Sequence, residues 1–155
     1  MSNLGFRQRG GWWVVAQNVL TIGVLVLGPL FRGHWQHPAT RSAGVVLFVT
    51  GAWFGLAGVR ALGRNRTAYP KPLADSTLVQ HGVYGLVRHP LYSSLMFASA
   101  GWALLWGSWL GLAFSGALML LLQAKAMREE RWLRERYPEY HAYEQRVKRL
   151  VPWVW

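Results

Sequence analysis

The sequence has no cysteine, and only 6 acidic residues stand against 17 Lys and Arg in 155 residues. The missing thiols exclude a disulfide framework, a thiolate metal site and a cysteine nucleophile. The resulting net charge of +11 points first to nucleic acid or to an anionic membrane surface. Where charge is absent altogether decides between them. No Lys, Arg, Asp or Glu lies between Arg9 and Arg32, between Arg41 and Arg60, or between Arg88 and Lys125. A soluble domain of this size needs charge on its exposed helix faces. About 20 apolar residues, in contrast, match a bilayer core ~30 Å thick. We therefore read an all-α integral membrane protein, a single domain over 1–155. No G-x-G-x-x-G turn follows a strand-like run, so the usual Rossmann signature is missing as well.

What is present places the spans. The first is Trp12 to Phe31 and the second roughly Ala43 to Leu62. The third uncharged stretch is too long for one helix. Trp106-Gly107-Ser108-Trp109 breaks it with a Gly-Ser turn signal. Leu91–Trp106 and Trp109–Ala124 then form a helical hairpin whose arms, ~24 Å long at ~16 residues, are short for a full span. This gives four transmembrane helices and a C-terminal helical segment outside the membrane. With that topology fifteen of the 17 Lys and Arg, all but Arg32 and Arg41, share one side. The positive-inside rule puts that side, with both termini, in the cytoplasm. The expected location is a multi-pass position in a bacterial inner membrane. This distribution accounts for most of the positive charge without nucleic acid. The N-terminus does not read as a secretory signal, because its apolar run exceeds an h-region and no A-x-A-like site ends it. Gly51, Gly55 and Gly58, and likewise Ala113 and Ala117, have the spacing at which small residues let helix backbones approach.

The polar segments carry the chemistry. Loop Arg64–Leu91 is too polar for lipid, and Pro70 and Pro72 keep its start extended. Pro90 suits the first turn of a helix, which puts His89 at the helix start, where unpaired N–H groups make an anion site. Read alone, Arg88 meets lipid phosphates and Tyr84 and Tyr92 anchor at the interface. Lys125 and Glu129 share a helix face at spacing four. Pro138 ends that helix after Tyr137. Beyond it Tyr140, Tyr143, Val147 and Leu150 recur at helical spacing among Arg146, Lys148 and Arg149. That is a basic amphipathic helix for a membrane surface, or a lid over the loop. Val151–Trp155 reads as an interfacial anchor. Gln17 and Asn18, the only amides of the first span, suit helix-to-helix hydrogen bonds or substrate contact. His34 and His37 lack a third ligand, so no metal is expected.

Gly82-x-Tyr84, Arg88-His89-Pro90-x-Tyr92, the uncharged hairpin, Glu129-Glu130-x-x-Leu133, Tyr137-x-x-Tyr140 and Val151-Pro152 together resemble the isoprenylcysteine carboxyl methyltransferase family, related to phospholipid N-methyltransferases. The resemblance covers about Arg64 to Trp155. It implies methyl transfer from S-adenosyl-L-methionine, in a cytoplasm-facing pocket, to a lipophilic small molecule such as an isoprenylcysteine-like carboxylate or a lipid amine. By position, Ser76, Thr77, Leu78, Val79, Tyr84, His89, Pro90, Leu91 and Tyr92 would line the cofactor. Glu129 would hold it from the other side, with Glu130 in that place if the register shifts by one. Lys125 stands where the family has an Arg near the substrate and lacks its planar fork. Ser93-Ser94 replaces the family's Gly two residues after the Tyr. The two N-terminal spans, 1–62, would support a cofactor-binding core over 63–155. Two other readings remain open: an NADPH-dependent membrane reductase, with Arg64, Arg66 and Lys71 on a 2′-phosphate, and a non-catalytic membrane subunit.

Overall fold

The structure, a computed structural model, describes residues 5–33, 35, 37–71 and 75–154. His34, Pro72 and Trp155, named above, lie outside the described residues. Among the described residues five α-helices follow in order: α1 Gly11–Leu30, α2 Pro38–Leu62, α3 Pro90–Trp106, α4 Trp109–Arg136 and α5 Tyr140–Arg146. No strand forms among the described residues; the one isolated bridge pairs Val87 with Lys148 in parallel.

Helix boundaries follow local chemistry. α2 starts five residues before the expected Ala43, because His37 caps it and Pro38 sits in its first turn. His37 Nδ1 accepts the Ala39 N–H at 3.2 Å, so this ring nitrogen serves as a cap. The α3–α4 hairpin turns where the Gly-Ser signal lies. Gly107 adopts φ 60 and closes α3, while Ser108 Oγ accepts the Gly111 N–H at 3.1 Å and opens α4. α4 then continues past Ala124 to Arg136, since no Gly or Pro interrupts it before Pro138. At 28 residues it measures ~42 Å, so its last turns project beyond a ~30 Å hydrocarbon core. α1, α2 and α4 are long and apolar enough to cross a membrane. α3, with 17 residues, reaches ~25 Å.

α2 packs on α3, α3 on α4, and α1 on α4 and α3, with no substantial α1–α2 pairing. The glycine stripe makes the α2–α3 contact. A Cβ on Gly51 would lie 2.5 Å from Ala98 N, and one on Gly58 would lie 2.9 Å from Leu91 Cδ2. The backbones therefore touch, and α3 is held with Leu91 and its neighbours at a set height. Ser94 faces Gly55, where a Cβ would meet its Oγ at 2.7 Å. The Ala113/Ala117 pair does not pack: both are exposed, and Ser115, Leu118 and Leu122 fill the buried face of α4. Outward-facing Val19, Ile22, Val46 and Leu56 are each about 60% exposed, as helix faces turned to lipid require.

Candidate functional site

Loop 63–89, the start of α3, the end of α4 and α5 meet at the charged end of the bundle. Between them lies a cavity of about 750 Å³, including its open mouth, within the range of small-molecule sites.

Its first wall is the loop. Asn65 holds Thr77 twice, through Nδ2 to Thr77 Oγ1 at 3.2 Å and through Oδ1 from the Thr77 N–H at 3.3 Å. Tyr137 Oη donates to Ser76 O at 2.6 Å. Residues 76–79 are thereby held along the cavity, outside any helix or strand. Gly82, at φ 61, then turns the chain into a 3-10 turn, Gly82–Gly85, that buries Tyr84 in the wall.

The C-terminal segment differs from the expected amphipathic helix. α5 ends at Arg146, and Val147–Leu150 leaves the helix as a bent segment with one bridge at Lys148, its carbonyls bonded elsewhere. Arg88 N donates to Lys148 O at 2.8 Å and His89 N to Arg149 O at 3.1 Å. Ser93 Oγ donates to Leu150 O at 2.6 Å, and Tyr143 Oη to Tyr84 O at 2.6 Å. Leu150 is fully buried among Met96, Leu118 and Leu122. This strap is a lid over the loop, not a surface helix. At the start of α3 the N–H groups of Tyr92 and Ser93 both donate to His89 O.

Adjacent glutamates of α4 have separate surroundings. Glu130 is fully buried outside the cavity lining. Its Oε1 accepts from Arg88 Nη2 at 2.8 Å and lies 3.1 Å from His89 Nε2, and its Oε2 accepts from Arg149 Nη2 at 2.8 Å. Arg88 is therefore committed to Glu130 and to the carbonyls of Glu144 and Val147, and is not a lipid-phosphate contact. Glu129 faces the cavity with its side chain 24% exposed. Tyr92 Oη donates to Glu129 Oε2 at 2.6 Å, and the His89 and Tyr92 rings stack with centroids 5.2 Å apart. Lys125 and Glu129 form no ion pair despite their spacing. Lys125 Nζ instead donates to Gln17 Oε1 at 2.6 Å and to Ala68 O at 3.1 Å, and lies 5.0 Å above the Tyr92 ring. Gln17 thus makes the helix-to-helix bond expected of a span amide.

Of the residues singled out from the sequence, Ser76, Thr77, Leu78, Val79, Tyr84, His89, Leu91, Tyr92 and Glu129 line this one cavity. Pro90, Lys125 and Glu130 stand behind its wall. Leu62, Asn65, Thr67, Leu133 and three tyrosines, 137, 140 and 143, also line it. The Leu133 and Tyr137-x-x-Tyr140 spacing had marked part of that set, while Leu62, Asn65 and Thr67 carry no signal of their own. Tyr140 is 1% exposed and its hydroxyl has no hydrogen-bond partner among the described residues. A buried phenol without a partner is costly, and this one borders the cavity. Burial pushes the Tyr84, Tyr140 and Tyr143 phenols well above their ordinary range, with nearby carboxylates adding to the effect. All three stay neutral donors. Among the described residues no group of three His, Asp or Glu could hold a metal.

The cavity thus combines a carboxylate, phenols and apolar walls. These fit a ligand with a cationic, donor-rich end and an aromatic base, and the unpartnered Tyr140 hydroxyl is a contact for it to complete. A family model of phospholipid methyltransferases matches residues 39–140, which hold all of this cavity except the Tyr143 wall. The solved structure of a eukaryotic intramembrane Ras methyltransferase, isoprenylcysteine carboxyl methyltransferase, has the same fold, with a TM-score of 0.64 at 20% identity over 94% of this chain. The chain spans about half of that protein, 53% of its length. Comparison with curated proteins finds no match.

Proposed function

The chain belongs to the phospholipid methyltransferase family, and from that premise we propose that it transfers a methyl group from S-adenosyl-L-methionine to a lipophilic acceptor at the cytoplasmic membrane face. The observation that carries this reading is the meeting of Glu129, His89, Tyr92 and Tyr140 in one cavity at the charged end of the bundle. When bound, S-adenosylmethionine supplies an electrophilic methyl on a sulfonium sulfur. Glu129 accepts hydrogen bonds from its ammonium or its ribose hydroxyls. Tyr84 and Tyr92 offer aromatic faces to a cation or a base. The 76–79 segment and Leu62, Leu78 and Leu133 exclude water. Displacement at a methyl group needs alignment more than acid–base help, so these residues act by positioning. A carboxylate acceptor is already nucleophilic, and a lipid amine attacks once it has lost its proton.

Lys125, behind Tyr92 at the junction with α1, is assigned to the acceptor side. The two N-terminal helices, 1–62, support a core over 63–155, with α3 as the fourth crossing and both termini in the cytoplasm. A reductase would need cations on a 2′-phosphate. Arg64, Arg66 and Lys71 do not line the cavity, and the one Arg that does, Arg88, is held by Glu130.

Binding of labelled S-adenosylmethionine to the detergent-purified full chain tests the reading. Saturable binding is expected in the wild type and its loss in Glu129→Ala, with helicity unchanged by circular dichroism. Wild-type affinity in a folded Glu129→Ala protein refutes the site.

A further inference from the structure

We propose that Glu130 is a positioning residue that fixes His89 as its Nε2–H tautomer, so that His89 Nδ1 and the Glu129 carboxylate face the cavity as a pair of acceptors for a donor-rich ligand group, an ammonium or a vicinal diol. The identity of that ligand rests on the function proposed above; the tautomer does not.

His89 is 6% exposed, so its ring nitrogens answer to the protein. Nε2 lies 3.1 Å from Glu130 Oε1. The same oxygen accepts from Arg88 Nε at 3.0 Å and from Arg149 Nε at 3.0 Å, and the other accepts from Arg149 Nη2 at 2.8 Å. A carboxylate receiving guanidinium N–H groups on both oxygens accepts only. The imidazole must supply the proton of the Nε2–Glu130 bond, and in a neutral ring Nδ1 keeps its lone pair.

Nδ1 lies 3.9 Å from Glu129 Oε2, too far for a direct hydrogen bond. Among the described residues Glu129 has one hydrogen-bond donor, the Tyr92 hydroxyl at 2.6 Å, while an ionised carboxylate offers about four lone-pair sites. Neither Lys nor Arg forms an ion pair with Glu129 among the described residues, although the chain carries a charge of +11. Glu130, one residue on, draws Arg88, Arg149 and, at 3.6 Å, Arg134. The arginines of this site are thus drawn to Glu130, including Arg88 in the cavity wall, and leave Glu129 and His89 Nδ1 as an acceptor pair. A carboxylate group of a ligand would be repelled there; an ammonium or a diol bridges the gap with one donor to each side. This reverses the anion-binding role that His89 has when only its place at a helix start is considered.

The test is ¹⁵N NMR of the full-length protein labelled with [¹⁵N]histidine in nanodiscs, with His89 assigned by its loss in His89→Gln. At neutral pH the expected pattern is a protonated Nε2 and an unprotonated Nδ1. In Glu130→Gln that pattern gives way to a mixture, and binding of S-adenosylhomocysteine weakens by about tenfold or more. Should Glu130→Gln not fold, the wild-type spectrum decides alone. A proton on Nδ1 overturns the proposal whatever the ligand. Nε2–H retained without S-adenosylhomocysteine binding supports the positioning role and overturns the cofactor reading instead.

Discussion

Replacing Gly51 with Ala adds one methyl group where α2 and α3 touch. That carbon would lie 2.5 Å from Ala98 N and 2.8 Å from Ser94 O, both backbone atoms, whereas ordinary contact begins at 3.4 Å. The helices must separate locally by roughly 0.9 Å, the difference between 2.5 and 3.4 Å. Neither neighbour can yield by rotating a side chain. Overpacking of this kind costs ~1–3 kcal/mol, a factor of ~5 to ~150 in the folding equilibrium. The better helix propensity of Ala returns about 1 kcal/mol, so net destabilisation of up to ~2 kcal/mol is expected. Gly116 on α4 is the matched control, because a Cβ there meets nothing within 4 Å. The same substitution at Gly116 should be neutral or stabilising by up to ~1 kcal/mol. Both variants can be compared with wild type by unfolding in mixed detergent–denaturant micelles. Ligand affinity should fall in Gly51→Ala alone, since the displaced helix carries Leu91 and Tyr92. Equal shifts in the two variants, or a more stable Gly51→Ala, would refute the contact argument.

Tyr140→Phe removes a buried hydroxyl with no partner among the described residues; thermal stability should hold or rise, while S-adenosylmethionine affinity drops about tenfold by equilibrium dialysis. Ser93→Ala leaves Leu150 O without its 2.6 Å donor and should cost ~1–3 kcal/mol, seen as earlier melting and faster proteolysis at the strap. The raised phenols make an alkaline prediction. Their native-state pKa values exceed the ordinary one, so their contribution to stability is complete below pH ~10 and is lost as pH rises above it. Phenolate absorbance should therefore show Tyr84, Tyr140 and Tyr143 ionising late, together with unfolding; early reversible titration of all tyrosines would contradict their burial.

The hairpin and the glycine stripe were legible because each depends on local properties: Gly107 at positive φ, a Ser cap, and small residues on one helix face. The cavity's loop wall was legible through the ordered motif around His89. Glu129 and Glu130 could not be told apart, because one step along a helix is a rotation of ~100°. Only the packing of α4 decides which carboxylate meets the cavity and which meets the arginines. Val147–Leu150 misled for a related reason. Its period suits a helix, but backbone pairing with residues 87–89 draws it out of one, and that pairing spans about sixty residues of sequence. Ala113 and Ala117 show that small-residue spacing alone does not identify a packed face. The link from Lys125 to Gln17 crosses 108 positions and likewise has no local trace.

The strap at 147–150 also sets an order of assembly. The halves of the cavity sit on α3 and α4, and the segment that ties His89, Ser93 and Glu130 together is made after both. A nascent chain can insert its hairpin while the site is still splayed, with the arginine cluster incomplete until Arg149 arrives. That step is the docking of a short peptide from the aqueous side onto helices already in lipid. Binding competence would appear abruptly with that step, and a chain cut before Val147 would be inserted, helical and inert.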